Sequence, residues 1–173
     1  MTAGLPLSIT ADTQMHQLVV RRGFDAPKAL VWDCYTKADL LDQWFAPEPM
    51  TAKTKTMEFR EGGHWHFAMV APDGTKYWAR FDYETIDPIV SYRARDTFSN
   101  PEGEVDDSLP LSIWDVTFAD QAPGTLVQIV VAYDSAEAMQ HLRDMGMEQG
   151  LKATLNSLDH LLNRLIHKQM QPI

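Results

Sequence analysis

The segment from Glu61 to Met69 carries the side chains of this chain that are best suited to line a binding cavity. Trp65, Phe67 and Met69 fall at alternate positions, so on a strand they share one face. Large aromatic and thioether side chains with few polar groups are typical of small-molecule pockets. The spacing therefore predicts either the wall of such a pocket or one side of a solid core.

The same alternation, carried through the neighbouring strands and the helices, extends this wall. Tyrosine hydroxyls would supply one or two orienting hydrogen bonds, and the net charge of −9 disfavours anions. We therefore expect a neutral or weakly polar hydrophobic ligand. The predicted ligand-binding residues are Trp44, Trp65, Phe67, Met69, Tyr77, Phe81, Tyr83, Tyr92, Trp114, Phe118, Ile129, Val131, Met147 and Leu151.

Asp96 is the candidate for acid or base chemistry. If the alternation that includes Tyr92 continues, the Asp96 carboxyl points into an aromatic chamber, where burial raises the pKa of a carboxyl. If the strand frays or bulges before the long loop that follows, Asp96 lies in water. No other residue is named as catalytic.

Two histidines are the nearest approach to a metal site. His64 and His66 share one strand face, but no third ligand follows at a recognisable spacing, and zinc normally takes at least three protein ligands. We expect both histidines to face solvent, as do Arg93 and Arg95, and predict no metal and no cofactor. Cys34 lies on an apolar helix stripe and is expected to pack in the core.

Composition excludes several classes of protein. The charge of −9 over 173 residues disfavours nucleic-acid binding, and the apolar runs are too short to span a membrane. The single cysteine allows no internal disulfide, and no signal-peptide pattern begins the chain. We therefore expect a cytoplasmic protein, monomeric or homodimeric, that binds a small molecule and neither nucleic acid nor membrane.

The elements that must position these side chains follow from hydrophobic periodicity. Residues 1–14 are expected to form a flexible arm, and residues 15–168 a single domain. Two short helices follow the first strand, and a meander of antiparallel strands comes next. The predicted strands are Leu18–Phe24, Lys53–Phe59, Trp65–Val70, Lys76–Ile86, Val90–Phe98, Ser112–Phe118 and Leu126–Tyr133.

The C-terminal part predicts one long helix from about Asp134 to Leu165. Its leucine stripe, at steps of three and four, is expected to pack on the sheet. Gly146 lies at the start of this stripe and marks either a close approach or a break. Between Ser99 and Pro110 runs an acidic loop, which could act as a lid or be a solvated connection.

Short motifs occur in an order that resembles a known family over about residues 16–166. The chain resembles the activator of heat shock protein 90 ATPase homologue (AHSA-type) family, of the START-like, SRPBCC superfamily. The resemblance implies an α+β helix-grip fold, like the birch pollen allergen, in which a curved antiparallel sheet wraps a long C-terminal helix and two short helices close one end. The motifs are Phe24-Asp25-Ala26-Pro27, Trp44-Phe45, Glu61-Gly62-Gly63, Pro72-Asp73-Gly74, Ile86-Asp87-Pro88, Gly124-Thr125, Gly146-Met147 and Leu158-Asp159-His160-Leu161.

The resemblance also implies a hydrophobic cavity between sheet and helix. Phe81, where the family usually has glycine, and Met147, where it usually has tryptophan, change the bulk of that cavity. The leading interpretation is a soluble protein that binds a hydrophobic or amphipathic small molecule. The alternative is a small enzyme, such as a cyclase, dehydratase or hydrolase, and the family name suggests a chaperone-associated domain as a third. Two or more buried titratable groups that converge in the cavity would favour the enzyme.

Overall fold

The computed structural model describes residues 6–170, with side chains to residue 168. This part of the chain forms one eight-stranded antiparallel sheet and four helices. In chain order the elements are β1 (Ser8–Asp12), β2 (Gln17–Phe24), α1 (Lys28–Thr36), α2 (Ala38–Leu41), β3 (Thr51–Met57), β4 (His64–Val70), β5 (Lys76–Asp87), β6 (Ser91–Phe98), β7 (Ser112–Gln121), β8 (Gly124–Tyr133), α3 (Ala136–Asp144) and α4 (Met147–Met170).

The sheet is a meander that closes on its first hairpin. The strand order is β1-β2-β8-β7-β6-β5-β4-β3, so β2 lies beside the last strand, with Val20 opposite Ile129. Burial alternates without interruption along β8, as expected for a strand with one face on the core. Register shifts in β3 and β5 interrupt the ladders, and such bulges add bend and twist to a sheet.

The long helix α4 packs its leucines on the concave face of this curved sheet. Leu151, Leu155, Leu158 and Leu162 are buried in one core with the inward side chains of the strands. The predicted α+β helix-grip fold is confirmed. Its physical basis is a continuous apolar stripe on a helix set against a sheet with one apolar face.

The predicted arm over residues 1–14 is wrong for residues 8–12. These residues form β1 and pair with β2, with Ser8 opposite Arg21 and Asp12 opposite Gln17. Residues 1–5 lie outside the described residues. Ile9 and Ala11 alternate with polar residues along β1 and pack partly buried against the core, but this alternation covers only five residues of an edge strand, too few to predict a strand from the sequence.

The prediction of one continuous C-terminal helix is also wrong. The Ser135 hydroxyl accepts a hydrogen bond from the Ala138 amide at 3.0 Å and starts α3, which ends at Asp144. Gly146 has a φ of +90°, a left-handed conformation that terminates helices and favours glycine. A new helix, α4, then begins at Met147 and extends past the predicted end at Leu165.

His66 is buried, with 3% of its surface exposed, so the prediction that it faces solvent is wrong. Its side chain does lie on the outer face of the sheet, but the loop of residues 99–110 covers it. The His66 ring nitrogen Nε2 lies 3.1 Å from the Asn100 carbonyl oxygen, and the Arg80 guanidinium donates to the Gly103 carbonyl at 2.7 Å. Burial lowers the pKa of His66. The covering loop lies more than 30 residues away in sequence, so periodicity within β4 does not reveal it.

Candidate functional site

A cavity of about 300 Å³ lies between the sheet and the start of α4. Five strands, from β4 to β8, supply one wall, and the helices with the segment after α2 supply the other. The wall is overwhelmingly apolar. The lining residues are Tyr35, Trp44, Phe45, Pro47, Phe67, Met69, Ala79, Phe81, Asp96, Phe98, Pro110, Ser112, Trp114, Ile129, Leu142, Met145, Gly146, Met147, Gly150, Leu151, Thr154 and Leu155.

Phe45 organises the aromatic part of the wall. Its ring centroid lies 4.9 Å from that of Trp65, 5.6 Å from Phe67 and 5.8 Å from Phe81, each in an edge-to-face arrangement. Such pairs add about 0.5–1.5 kcal/mol each beyond burial. Phe45 is not among the ligand-binding residues predicted from the sequence. The signal for it was weak, because its contacts come from a strand pair about 20 or more residues further along the chain.

The mouth of the cavity lies at the junction of α3 and α4. Met145, which is 60% exposed, and Gly146 border it from the break between the helices. One turn further along the chain, the Gly150 amide donates to the Gly146 carbonyl at 2.9 Å, and a Cβ added to Gly150 would lie 3.9 Å from the Pro47 side chain. The left-handed conformation at Gly146 therefore ends α3 where the cavity reaches the surface.

Among the lining residues of the described part of the chain, Asp96 is the one with an acidic or basic side chain. Its strand stays paired with β7 up to this position, with Asp96 opposite Ser112, so the alternative that places it in water is wrong. The Ser112 hydroxyl donates to the Asp96 Oδ2 atom at 3.4 Å, and the Trp114 indole donates to the Ser112 oxygen at 3.0 Å. Burial raises the pKa of Asp96 to about 7, and the hydrogen bonds from Ser112 and Trp114 oppose the rise.

The hydroxyl groups near the cavity have mostly found protein partners. The Tyr133 hydroxyl lies 2.6 Å from the Met147 sulfur, and the Thr154 hydroxyl donates to the Leu151 carbonyl at 2.9 Å. The pKa of Tyr133 is raised by burial, then by the charges of Asp96 and Glu148. The buried Tyr35 hydroxyl has no hydrogen-bond partner within residues 6–170. Asp96 is thus the group best placed to meet a polar atom of a ligand.

The structure brings eight of the predicted ligand-binding residues to the cavity and leaves six elsewhere. Trp65 and Val131 are buried in the core but do not line the cavity. Tyr83, Tyr92 and Phe118 are buried further along the sheet. The eight lining residues are Trp44, Phe67, Met69, Phe81, Trp114, Ile129, Met147 and Leu151.

Tyr77 was predicted to face the cavity, but its side chain is 56% exposed. It alternates correctly with Ala79 and Phe81, both of which line the cavity. Tyr77, however, stands at the start of β5, beside the turn of residues 71–75, where the side chain is left uncovered. Alternation assigns a face of the sheet but not how far the opposing layer extends over it.

Within residues 6–170, no group of three or more His, Cys, Asp or Glu side chains is arranged to hold a metal ion. No helix of that part is long and apolar enough to cross a membrane. Cys34 is fully buried in α1, and burial, together with the charges of Asp33 and Asp39, raises the pKa of its thiol to about 12. Such a thiol packs as a small apolar group rather than reacting as a nucleophile.

Comparison with known proteins gives one family match and many structural matches. The model of the family described as "Activator of Hsp90 ATPase homolog 1-like protein" matches residues 25–163. The crystal structure of protein Ms6760 from Mycobacterium smegmatis is 29% identical, with a TM-score of 0.84 over 91% of this chain and 97% of that one. A solution structure of a protein from Arthrobacter aurescens is 27% identical, with a TM-score of 0.86 over 91% of each chain.

A third similar structure comes from Staphylococcus epidermidis. It is 28% identical, with a TM-score of 0.79 over 95% of this chain and 97% of that one. Comparison with curated proteins finds no match. The family match and these whole-length similarities agree on one fold family.

Proposed function

Since this chain belongs to the family of Activator of Hsp90 ATPase homolog 1-like proteins, we propose that it is a soluble protein whose cavity binds a hydrophobic or amphipathic small molecule. The observation that carries this proposal is the cavity itself. It has about 300 Å³ of free volume, walls of aromatic, aliphatic and thioether side chains, and a mouth at the surface. Small-molecule sites combine the same apolar walls with few polar groups.

The volume limits the size of the ligand. Ligand pockets span roughly 300–1,000 Å³, so this cavity is at the small end and suits a molecule of one or two rings. Burial of apolar ligand surface, at about 25 cal/mol per Å², would supply most of the affinity. A hydrogen bond to the wall would add about 0.5–1.5 kcal/mol.

Acid–base catalysis is a second candidate function, favoured by one specific observation. Asp96 faces an apolar cavity, and burial holds its pKa at about 7, close to the value that suits a general acid or base at neutral pH. A complete proton-transfer site normally pairs such a group with a second one. Here the nearby Tyr133 hydroxyl is occupied by Met147, so binding is the better-supported function. A chaperone-associated role has only the family name in its favour.

The test compares two neighbours on the ladder between β4 and β5. Met69 and Tyr77 are register partners, but Met69 lines the cavity and Tyr77 is exposed. In Met69→Asp a carboxylate enters the apolar wall and should weaken binding of an uncharged naphthalene probe by tenfold or more. Tyr77→Asp adds the same charge outside the cavity and should leave probe affinity within about twofold. Titration calorimetry measures both.

A substitution at a more deeply buried position of the wall makes the same test more stringent. Phe67→Asp places the carboxylate at a fully buried part of the wall and should abolish probe binding, provided that circular dichroism shows a folded protein. Wild-type protein should bind the probe more tightly than a fatty-acid anion. Unchanged probe affinity in folded Met69→Asp and Phe67→Asp, or tighter binding of the anion by wild type, would contradict the proposed function.

A further inference from the structure

We propose that the cavity selects hydrophobic molecules that carry a single protonated amine, with Asp96 as the counter-ion and the apolar walls around the rest of the molecule. This inference rests on the proposed function and names the class of ligand for the same cavity. It rests on the position of one acidic group within otherwise apolar walls.

The charge of the lining residues has one sign. Asp96 is acidic, and no lysine, arginine or histidine is among the lining residues of the described chain. The donors near the Asp96 carboxyl are the Ser112 hydroxyl, a long 3.4 Å from Oδ2, and the Trp114 indole. Asp96 is half-buried, and these two donors leave part of the acceptor capacity of its carboxyl to a ligand.

The surroundings of Asp96 suit a cation. Asp96 is the register partner of Phe81 on one side and of Ser112 on the other. Two residues beyond Ser112, the Trp114 ring lies 5.3 Å from the Phe81 ring, and both line the cavity. The Trp114 indole turns its N–H edge toward Ser112, at 3.0 Å, so the carboxylate and not a ring face is the group that attracts a cation here. An ammonium group beside Asp96 would thus meet a carboxylate, while the apolar remainder of the ligand fills the cavity.

The titration of Asp96 makes this preference depend on pH. The groups that face it are Ser112 and Trp114 from β7 and Tyr133 from β8, and beyond Tyr133 lies Glu148 of α4, which is paired with Arg143 at 2.7 Å. Because burial raises the pKa of Asp96 to about 7, a cationic ligand that requires the ionised form must displace a proton at lower pH. Affinity for an amine should therefore rise from pH 6 to pH 8.

The test uses three probes that share one naphthalene skeleton: naphthylethylamine, naphthylethanol and naphthylacetate. Titration calorimetry of wild-type protein at pH 8 should show the amine binding at least about tenfold more tightly than the alcohol, with the acetate weakest. At pH 6 the ratio of amine to alcohol affinity should fall by about five- to tenfold. At pH 7, the heat of amine binding should vary with the ionisation enthalpy of the buffer, which reports proton release.

A matched pair of variants tests the assignment to Asp96. Asp96→Asn should remove the advantage of the amine and its dependence on pH. Asp115→Asn removes the same charge from an adjacent strand, where Asp115 pairs with Arg93 outside the cavity, and should retain both. The comparison within the wild type needs no variant to fold.

Each result decides the proposal. If the alcohol binds but the amine binds no more tightly at pH 8, the amine inference is overturned while the proposed function stands. If Asp115→Asn abolishes the advantage as fully as Asp96→Asn, the preference reflects net charge and the inference is likewise overturned. If none of the probes binds, both proposals fail together.

Discussion

The two ends of the space between sheet and helices are built from the same strands and differ in what stands opposite them. At one end, which we call the closed end, aromatic rings pack against each other. At the other end, which we call the open end, the cavity separates the sheet from the helices. The closed end consists of Trp32, Phe59, Tyr83, Tyr92 and Phe118, and the open end of Phe45, Phe67, Phe81, Asp96 and Trp114.

The filling of the closed end comes from α1. Trp32 reaches down from this helix and contacts three rings edge to face or nearly so, with centroid distances of 5.1 Å to Phe118, 5.7 Å to Phe59 and 6.2 Å to Tyr92. The open end faces the break between α3 and α4 and the first turns of α4 instead, where Gly146 and Gly150 contribute no side chain. The inner face of the sheet is apolar at both ends, so the size of the side chains opposite it decides whether the space is filled or left as a cavity.

The largest expected effect comes from truncating one phenylalanine at each end. Phe118 at the closed end and Phe81 at the open end are 3% and 2% exposed. Phe118→Ala should lower the free energy of unfolding by about 4 kcal/mol, because it opens a new void in packed surroundings. Phe81→Ala should cost about 2 kcal/mol, because on the cavity side its ring already lacks packing partners. Urea denaturation of both variants measures the difference.

Ligand binding separates the same two variants. Phe81→Ala should change the affinity of a naphthalene probe, whereas Phe118→Ala should leave it within about twofold. Equal losses of stability, or equal changes in affinity, would mean that the two ends do not differ as described.

The second prediction concerns a titratable group found at the open end. The pKa of Asp96 rises from 3.8 in the unfolded chain to about 7 in the folded protein, so the folded state holds this proton more tightly. Its contribution to stability is fully present below about pH 4 and is lost as pH rises through about 7. Relative to Asp96→Asn, the wild type should lose about 2–4 kcal/mol between pH 4 and pH 8.

Urea denaturation of the wild type and of Asp96→Asn at several pH values between 4 and 8 measures this loss. Asp115→Asn, outside the cavity, is the control and should follow the wild-type profile. Parallel profiles for wild type and Asp96→Asn would show that the Asp96 carboxyl is hydrated like a surface group.

The smallest predicted change in stability comes from substituting either of the two glycines at the mouth of the open end. Gly150 is within helix α4 and has space for a methyl group, so Gly150→Ala should raise the free energy of unfolding by about 0.5–1 kcal/mol. Gly146 has a φ of +90°, so Gly146→Ala should lower it by about 1 kcal/mol. Thermal unfolding of the two variants should therefore shift in opposite directions, and a shift in the same direction would contradict the helix break at Gly146.

Hydrophobic periodicity in the sequence was sufficient to predict which side chains share one face of a strand or of a helix. Alternation in β4, β6, β7 and β8 placed Phe67, Trp114 and Ile129 on the inner face, because successive side chains of a strand must point to opposite faces. The leucine steps of three and four likewise placed one stripe of α4 on the sheet. These features, with the motif order, were sufficient to predict the fold.

Only the tertiary structure decided which inward side chains border a cavity. Tyr83 and Phe81 share one face of the same strand, yet Tyr83 packs against the rings of Phe59 and Tyr92 while Phe81 borders the cavity. His66 is buried by a loop that lies far along the chain, and Asp96 keeps its inward position because pairing with Ser112 persists. Sequence periodicity fixes the direction of a side chain, but burial and free volume depend on the bulk of the element that packs against it.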